Sequence, residues 1–92
     1  MKNNIQLEEQ VLHFIQSLPP EPKKALRRGL KGLENDKGDI SRLKDESEGY
    51  YRLRVKNYRI VFRRLEPSTI QCVYAEHREE VYVKWAAIVA GK

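Results

Sequence analysis

Cysteine is nearly missing from this sequence: Cys72 stands alone among 92 residues. No internal disulfide can form, and no site built from several thiolates is available. Within TIQCVYA the thiol reads as a small buried hydrophobe. Long apolar runs are missing too. Nothing approaches the roughly 18 consecutive apolar residues of a membrane-crossing helix. Met1-Lys2-Asn3-Asn4 leads into no apolar signal segment, so the expectation is a cytoplasmic chain without a membrane partner. Repeats and low-complexity segments are also absent. A further absence is local. Residues 50–64, YYRLRVKNYRIVFRR, contain no Asp or Glu, yet carry Arg52, Arg54, Lys56, Arg59, Arg63 and Arg64.

What is present fits one domain spanning 1–92 with one modest core. The apolar fraction is 40% and the charged fraction 34%, values of a globular chain rather than a disordered one. Net charge is +5, from 18 Lys and Arg against 13 Asp and Glu, which favours a polyanionic partner. The charge is also segregated. Residues 34–48 hold Glu34, Asp36, Asp39, Asp45, Glu46 and Glu48 against three bases, and the acid-free stretch follows at once.

Leu7, Val11, Phe14, Ile15 and Leu18 recur at the helical period, and Pro19-Pro20 ends that helix. Pro22 can open a second helix, with Leu26, Leu30 and Leu33 inward and Lys23, Lys24, Arg27, Arg28 and Lys31 outward. So short a connection predicts an antiparallel helical hairpin. Gly29 and Gly32 in the second helix mark either close packing or fraying. Residues 34–49 read as a polar, turn-rich loop tacked down by Ile40 and Leu43. From Tyr51 the period changes to two. Tyr51, Leu53 and Val55 point one way, and Arg52, Arg54 and Lys56 the other. Lys56-Asn57 turns the chain, after which Tyr58, Ile60 and Phe62 oppose Arg59, Val61 and Arg63. LEPST makes a second turn into a third strand at TIQCVYA. The fold class is α+β, a helical hairpin packed on a small antiparallel sheet. A short first strand around NNIQL is left open, and so is whether the tail around Trp85 is a strand, a helix or both.

If the apolar side of the β-hairpin faces the helices, Arg52, Arg54, Lys56, Arg59 and Arg63 must share the opposite sheet face. Like charges side by side across a sheet are mildly destabilising. A solvated basic face and a polyphosphate-binding face both accommodate the pattern; the missing carboxylates favour the second.

LRVKNYRIVFRR followed by HREEVYVKW resembles the RelE/ParE superfamily of type II toxin–antitoxin systems, over roughly residues 7 to 85. The pattern R-L-R-x-x-x-Y-R-[IV]-[VI]-[FY] with a downstream H-R-x-x-V-Y carries the likeness. The RelE branch implies a ribosome-dependent endoribonuclease that cuts messenger RNA in the A site. It also implies a cognate protein antitoxin, with operator DNA engaged only through the antitoxin complex. On that resemblance the catalytic set falls on Arg52, Arg54, Arg59, Arg78 and Tyr82, with His77 as a neighbouring proton donor. Lys56, Arg63 and the basic face of the second helix would contact RNA. Arg52 and Arg54 stand where the branch has lysines, and a guanidinium cannot carry a proton near neutral pH, so these two can only bind and stabilise. RNA supplies its own nucleophile in the 2′-hydroxyl, so the chemistry needs alignment, charge stabilisation and proton transfer, and calls for neither metal nor cofactor.

The bland readings stand beside these. Arg59 and Arg78 could pair with the acidic loop, Tyr82 could be core, and His77 a surface residue. His13, Tyr50, Tyr51 and Tyr58 read as structural, with base stacking by Tyr50 as the alternative, and Trp85 reads as closing the core. The ParE branch would make the target DNA gyrase, and a non-catalytic double-stranded-RNA binder is the third class.

Overall fold

The computed structural model describes residues 2–44 and 47–91, so Asp45 and Glu46 of the acidic stretch lie outside the described residues. The order is β1 (Asn4–Leu7), α1 (Glu9–Gln16), α2 (Pro20–Leu33), β2 (Asp39–Arg42), β3 (Tyr50–Val55), β4 (Tyr58–Leu65), β5 (Thr69–His77) and α3 (Val81–Ala90). The strands form one sheet in the order β1-β5-β4-β3-β2. The chain therefore opens with a strand, ahead of the helical hairpin. The sheet is mixed rather than purely antiparallel, because β1 pairs parallel to β5. Backbone bonds from Asn4 to Ser68 and from Glu8 to Cys72 extend that ladder at both ends. Beyond it, Gln10 replaces a strand: its amide donates to the Ala75 carbonyl and accepts from the Ala75 N–H, both at 2.8 Å.

β3 and β4 form the hairpin that the alternation predicts, with Leu53 opposite Ile60 and Tyr51 opposite Phe62. These side chains meet Val11 and Ile15 of α1 and Leu26, Leu30 and Leu33 of α2 in the larger core. Each large apolar side chain buried there contributes about 1.5–3 kcal/mol. α2 approaches closely because Gly29 has no side chain; a Cβ there would sit 2.7 Å from Val55 Cγ2. Close packing, not fraying, explains that glycine.

Two further expectations are corrected. Residues 39–42 form an edge strand rather than loop, with Ile40 half-buried opposite Leu53. Only one of its four side chains packs on the core, so no alternation announces it. The face carrying the arginines is also not open: α3 lies on it, and Val81 and Trp85 build a second core with Val61 and Tyr74. A bulge in β5 enables this. Val61 pairs with Tyr74 and Phe62 with Cys72, leaving Val73 as the extra residue, and Val73 and Tyr74 both join the second core. The tail is thus a helix whose Val81 and Trp85 cap the sheet, while Val83 and Ile88 stay exposed. No helix among the described residues is long and apolar enough to cross a membrane.

Candidate functional site

The period-two pattern of β3 and β4 sets Arg52, Arg54, Arg59 and Arg63 on the sheet face beneath α3, in rows fixed by register. Nearest the β3–β4 turn the row is Asp39, Arg54, Arg59, Glu76, and one row further in it is Ser41, Arg52, Val61, Tyr74. Above that inner row stands Tyr82, in the first turn of α3. Arg52 Nη1 donates to the Tyr82 hydroxyl at 2.9 Å, and Nη2 donates to Ser41 Oγ at 2.7 Å. The phenol oxygen thus accepts from a cation, which leaves its own hydrogen to be given outward. Tyr82 is 46% exposed, so a ligand can reach it.

Arg54 remains accessible. Its contact with Asp39, 3.8 Å from Nε to Oδ2 with both side chains more than half exposed, is of the solvent-screened kind that contributes little. Arg59 is different. It is 7% exposed, and Nη1 donates to the backbone carbonyls of Lys56 and Tyr58 at 2.9 and 2.8 Å. That bond set clamps the turn, where Lys56 adopts φ 53°. Arg63 donates from Nε to Gln71 Oε1 at 2.7 Å.

At the turn end of the sheet, the Arg78 N–H donates to the Asn57 carbonyl at 2.8 Å, tying the start of the β5–α3 loop to the hairpin. A cleft of about 350 Å³ opens there, lined by Asn57, His77, Arg78, Glu79 and Glu80. The His77 ring packs 5.0 Å from Tyr58 and 5.9 Å from Phe14. Beside the cleft, Glu76 faces Lys84 at 3.1 Å. Burial alone pushes the Glu76 carboxyl up. The His77 amide and the Lys84 ammonium outweigh that and hold it below the ordinary range. Lys84 is in turn pushed up, first by its hydrogen bond to Glu76 and then by that to Glu80. A lysine so held keeps its proton and cannot act as a base.

By sequence, no protein-family model matches the chain and no curated protein is significantly similar to it. By structure, it is similar to the RelBE2 toxin–antitoxin complex of Mycobacterium tuberculosis, with TM-score 0.75 and 20% identity over 85% of this chain and 100% of that one. The archaeal RelE–RelB complex of Pyrococcus horikoshii gives TM-score 0.70 and 23% identity over 85% and 97%. YafQ from Escherichia coli gives 0.67 and 12% over 88% and 99%. The chain has the RelE-type toxin fold.

Within this RelE-type fold the residues singled out from sequence are sorted into groups. Arg52, Arg54 and Tyr82 come together on the sheet face. Arg78 stands at its turn end with Lys56, which lies in the turn rather than on the face, while His77, opposite Tyr58, turns its ring to the α1 side of the sheet and does not join them. Arg59 shares the face but is bound to the turn, and that bond set, not an ion pair with the acidic loop, accounts for its burial. Lys23, Lys24, Arg27, Arg28 and Lys31 are on α2, which packs on the other side of the sheet. Tyr50 packs 5.0 Å from Trp85, Tyr51 stacks on Phe62, and Trp85 closes the second core. The Glu76–Lys84 pair was missed. Only the helical spacing of Glu80 and Lys84 signals it, because Glu76 arrives from β5.

Proposed function

We propose that this chain is the toxin of a toxin–antitoxin pair and a ribosome-dependent endoribonuclease of the cytoplasm that cuts messenger RNA and so stops translation. The observation that carries the reading is the Arg52–Tyr82 hydrogen bond, which joins β3 to α3 and presents a cation and a hydroxyl donor at one exposed point. With Arg54 alongside, phosphoryl oxygens acquiring charge would meet two guanidinium forks and a phenol hydrogen. The 2′-hydroxyl gives its proton to water as its oxygen attacks phosphorus, the bond to the 5′-oxygen breaks as that oxygen takes up a proton, and a 2′,3′-cyclic phosphate remains, which a water molecule can open to the 3′-phosphate. No metal is needed by that route.

His77 stays out of the proton transfer, because its ring packs on Tyr58 and Phe14 on the α1 side of the sheet; Glu76 and Lys84 neutralise each other, so the protons are exchanged with water. Because the hydroxyl of Tyr82 accepts from Arg52, its role here is donor rather than base. Arg78 supplies an exposed phosphate contact at the cleft, while Arg59 acts through the turn it clamps, and Lys56 and Arg63 flank the strand. The partner is an antitoxin, as in the solved complexes of similar fold. An acidic amphipathic segment suits the basic chain.

Tyr82→Phe removes only the hydroxyl. Cleavage of messenger RNA on programmed ribosomes should fall on the order of a hundredfold with circular dichroism unchanged. Undiminished cleavage would remove Tyr82 from the chemistry. DNA breaks in place of messenger RNA cuts would transfer the protein to the gyrase-directed class.

A further inference from the structure

Arg52 is held by uncharged oxygens. Ser41 lies directly opposite it in the β2–β3 register. The Ser41 hydroxyl accepts from Nη2 at 2.7 Å, and the Tyr82 hydroxyl accepts from Nη1 at 2.9 Å. Nε is buried and meets no acceptor. Two bonds therefore fix the plane of the guanidinium, one from α3 and one from the edge strand β2. Among the described residues no carboxylate pairs with Arg52. The neighbouring row is built the other way: Asp39 stands opposite Arg54, with its carboxylate 3.8 Å from the guanidinium.

We propose that Ser41 is a positioning residue of the RNA-cleaving site, whose hydroxyl holds the Arg52 fork beneath Tyr82 without cancelling the charge that the fork carries to a phosphoryl oxygen. The inference rests on the RNA-cleavage reading and deepens it by bringing in β2, which carries none of the arginines of the sheet face. Charge decides the residue type. A carboxylate in place of Ser41 would hold the guanidinium at least as firmly, since charge-assisted hydrogen bonds are the stronger ones. Its negative charge would oppose the charge growing on the phosphoryl oxygens. A hydroxyl supplies the geometry alone. Geometry is worth holding, because a displacement of about 1 Å in a reacting constellation can forfeit on the order of a hundredfold in rate.

The test combines single-turnover cleavage of messenger RNA on programmed ribosomes, with the protein varied to saturation, and the NMR signals of the Arg52 guanidinium nitrogens. Ser41→Ala should lower the saturating rate roughly tenfold to a hundredfold. The half-saturating concentration should not move, because the lost contact acts in the transition state and not in binding. Ser41→Thr keeps the hydroxyl and should restore the rate. Ser41→Asp should hold Arg52 and still cut slowly, an outcome that a merely structural serine would not give. In an Arg52→Ala background, Ser41→Ala should cost nothing further, because the two residues act as one unit. The wild type and Ser41→Thr should show separate Nη1 and Nη2 signals for Arg52, and Ser41→Ala an averaged one. Wild-type rates in folded Ser41→Ala or Ser41→Asp overturn the proposal, as does an unchanged Arg52 spectrum in Ser41→Ala. If Ser41→Ala fails to fold, the contrast between Ser41→Thr and Ser41→Asp decides in its place. If the wild-type chain cuts no messenger RNA, the nuclease reading falls, and the Arg52 spectra by themselves decide whether Ser41 holds the fork.

Discussion

Replacing Trp85 by alanine removes the side chain that pins α3 to the sheet. Trp85 is 4% exposed, lies 5.0 Å from Tyr50 and 6.2 Å from Tyr74, and donates from Nε1 to Ser47 Oγ at 2.9 Å. Truncating a buried tryptophan costs about 3–5 kcal/mol. Here the loss has a ceiling, namely the free energy that docks α3. What remains is Val81, worth about 1.5–3 kcal/mol when fully buried, half-buried Val89, and the solvent-screened Tyr82–Arg52 and Lys84–Glu76 links, which contribute little. That is too little to order a ten-residue helix whose length is marginal in water. The expected outcome is local. Amides of 81–90 lose hydrogen-exchange protection, while those of β3 and β4, held from the other side by α1 and α2, keep theirs. Messenger RNA cleavage falls about a hundredfold because Tyr82 leaves Arg52. Trp85→Phe keeps a ring against Tyr50 and loses the bond to Ser47, for about 1 kcal/mol, with α3 still docked. Wild-type protection across 81–90 in Trp85→Ala would refute the reasoning, since α3 would then be held by something other than its two buried anchors.

Three further outcomes are expected. Gly29→Ala gains about 1 kcal/mol of helix propensity, but its methyl strikes Val55 Cγ2, and overpacking of this kind costs about 1–3 kcal/mol. Urea midpoints should therefore fall, and adding Val55→Ala should recover part of the loss; a plain stabilisation would contradict the close approach. For pH, the folded-state titration of Glu76 lies below its unfolded value, so its contribution is present above about 4.3 and disappears as pH falls through the folded value. Asp36, lowered chiefly by its hydrogen bond to Arg64, acts in the same direction. Urea midpoints should drop on acidification below that point, and less steeply in Glu76→Gln; equal slopes would rule out the carboxylate. Finally, burial pushes the Cys72 thiol up to about 12, so at pH 8 a thiol reagent should label the native protein only at its rate of opening, and the urea-unfolded chain at once.

The amino-acid order alone determined the parts whose signal is short-range. Period-two alternation through 51–63 set the β3–β4 hairpin and the face each side chain takes, because a strand has two faces. Leu26, Leu30 and Leu33, with prolines ahead of them, set α2 and its cationic outer side in the same way. Tertiary structure decided the rest, because it depends on partners distant in the chain. β1 exists through a parallel ladder to residues some 65 positions away. β2 presents one core side chain, and its strand conformation comes from pairing with β3. VYVKWAAIVA is apolar on nearly every side, with Lys84 the exception, so neither period dominates. It becomes a helix because the bulged β5 and Val61 leave an apolar patch that needs a cover. That cover brings Tyr82 onto Arg52, a contact thirty residues apart. The fate of Arg59 was equally invisible in the sequence, since the carbonyls of Lys56 and Tyr58 converge on a guanidinium only once the turn is formed.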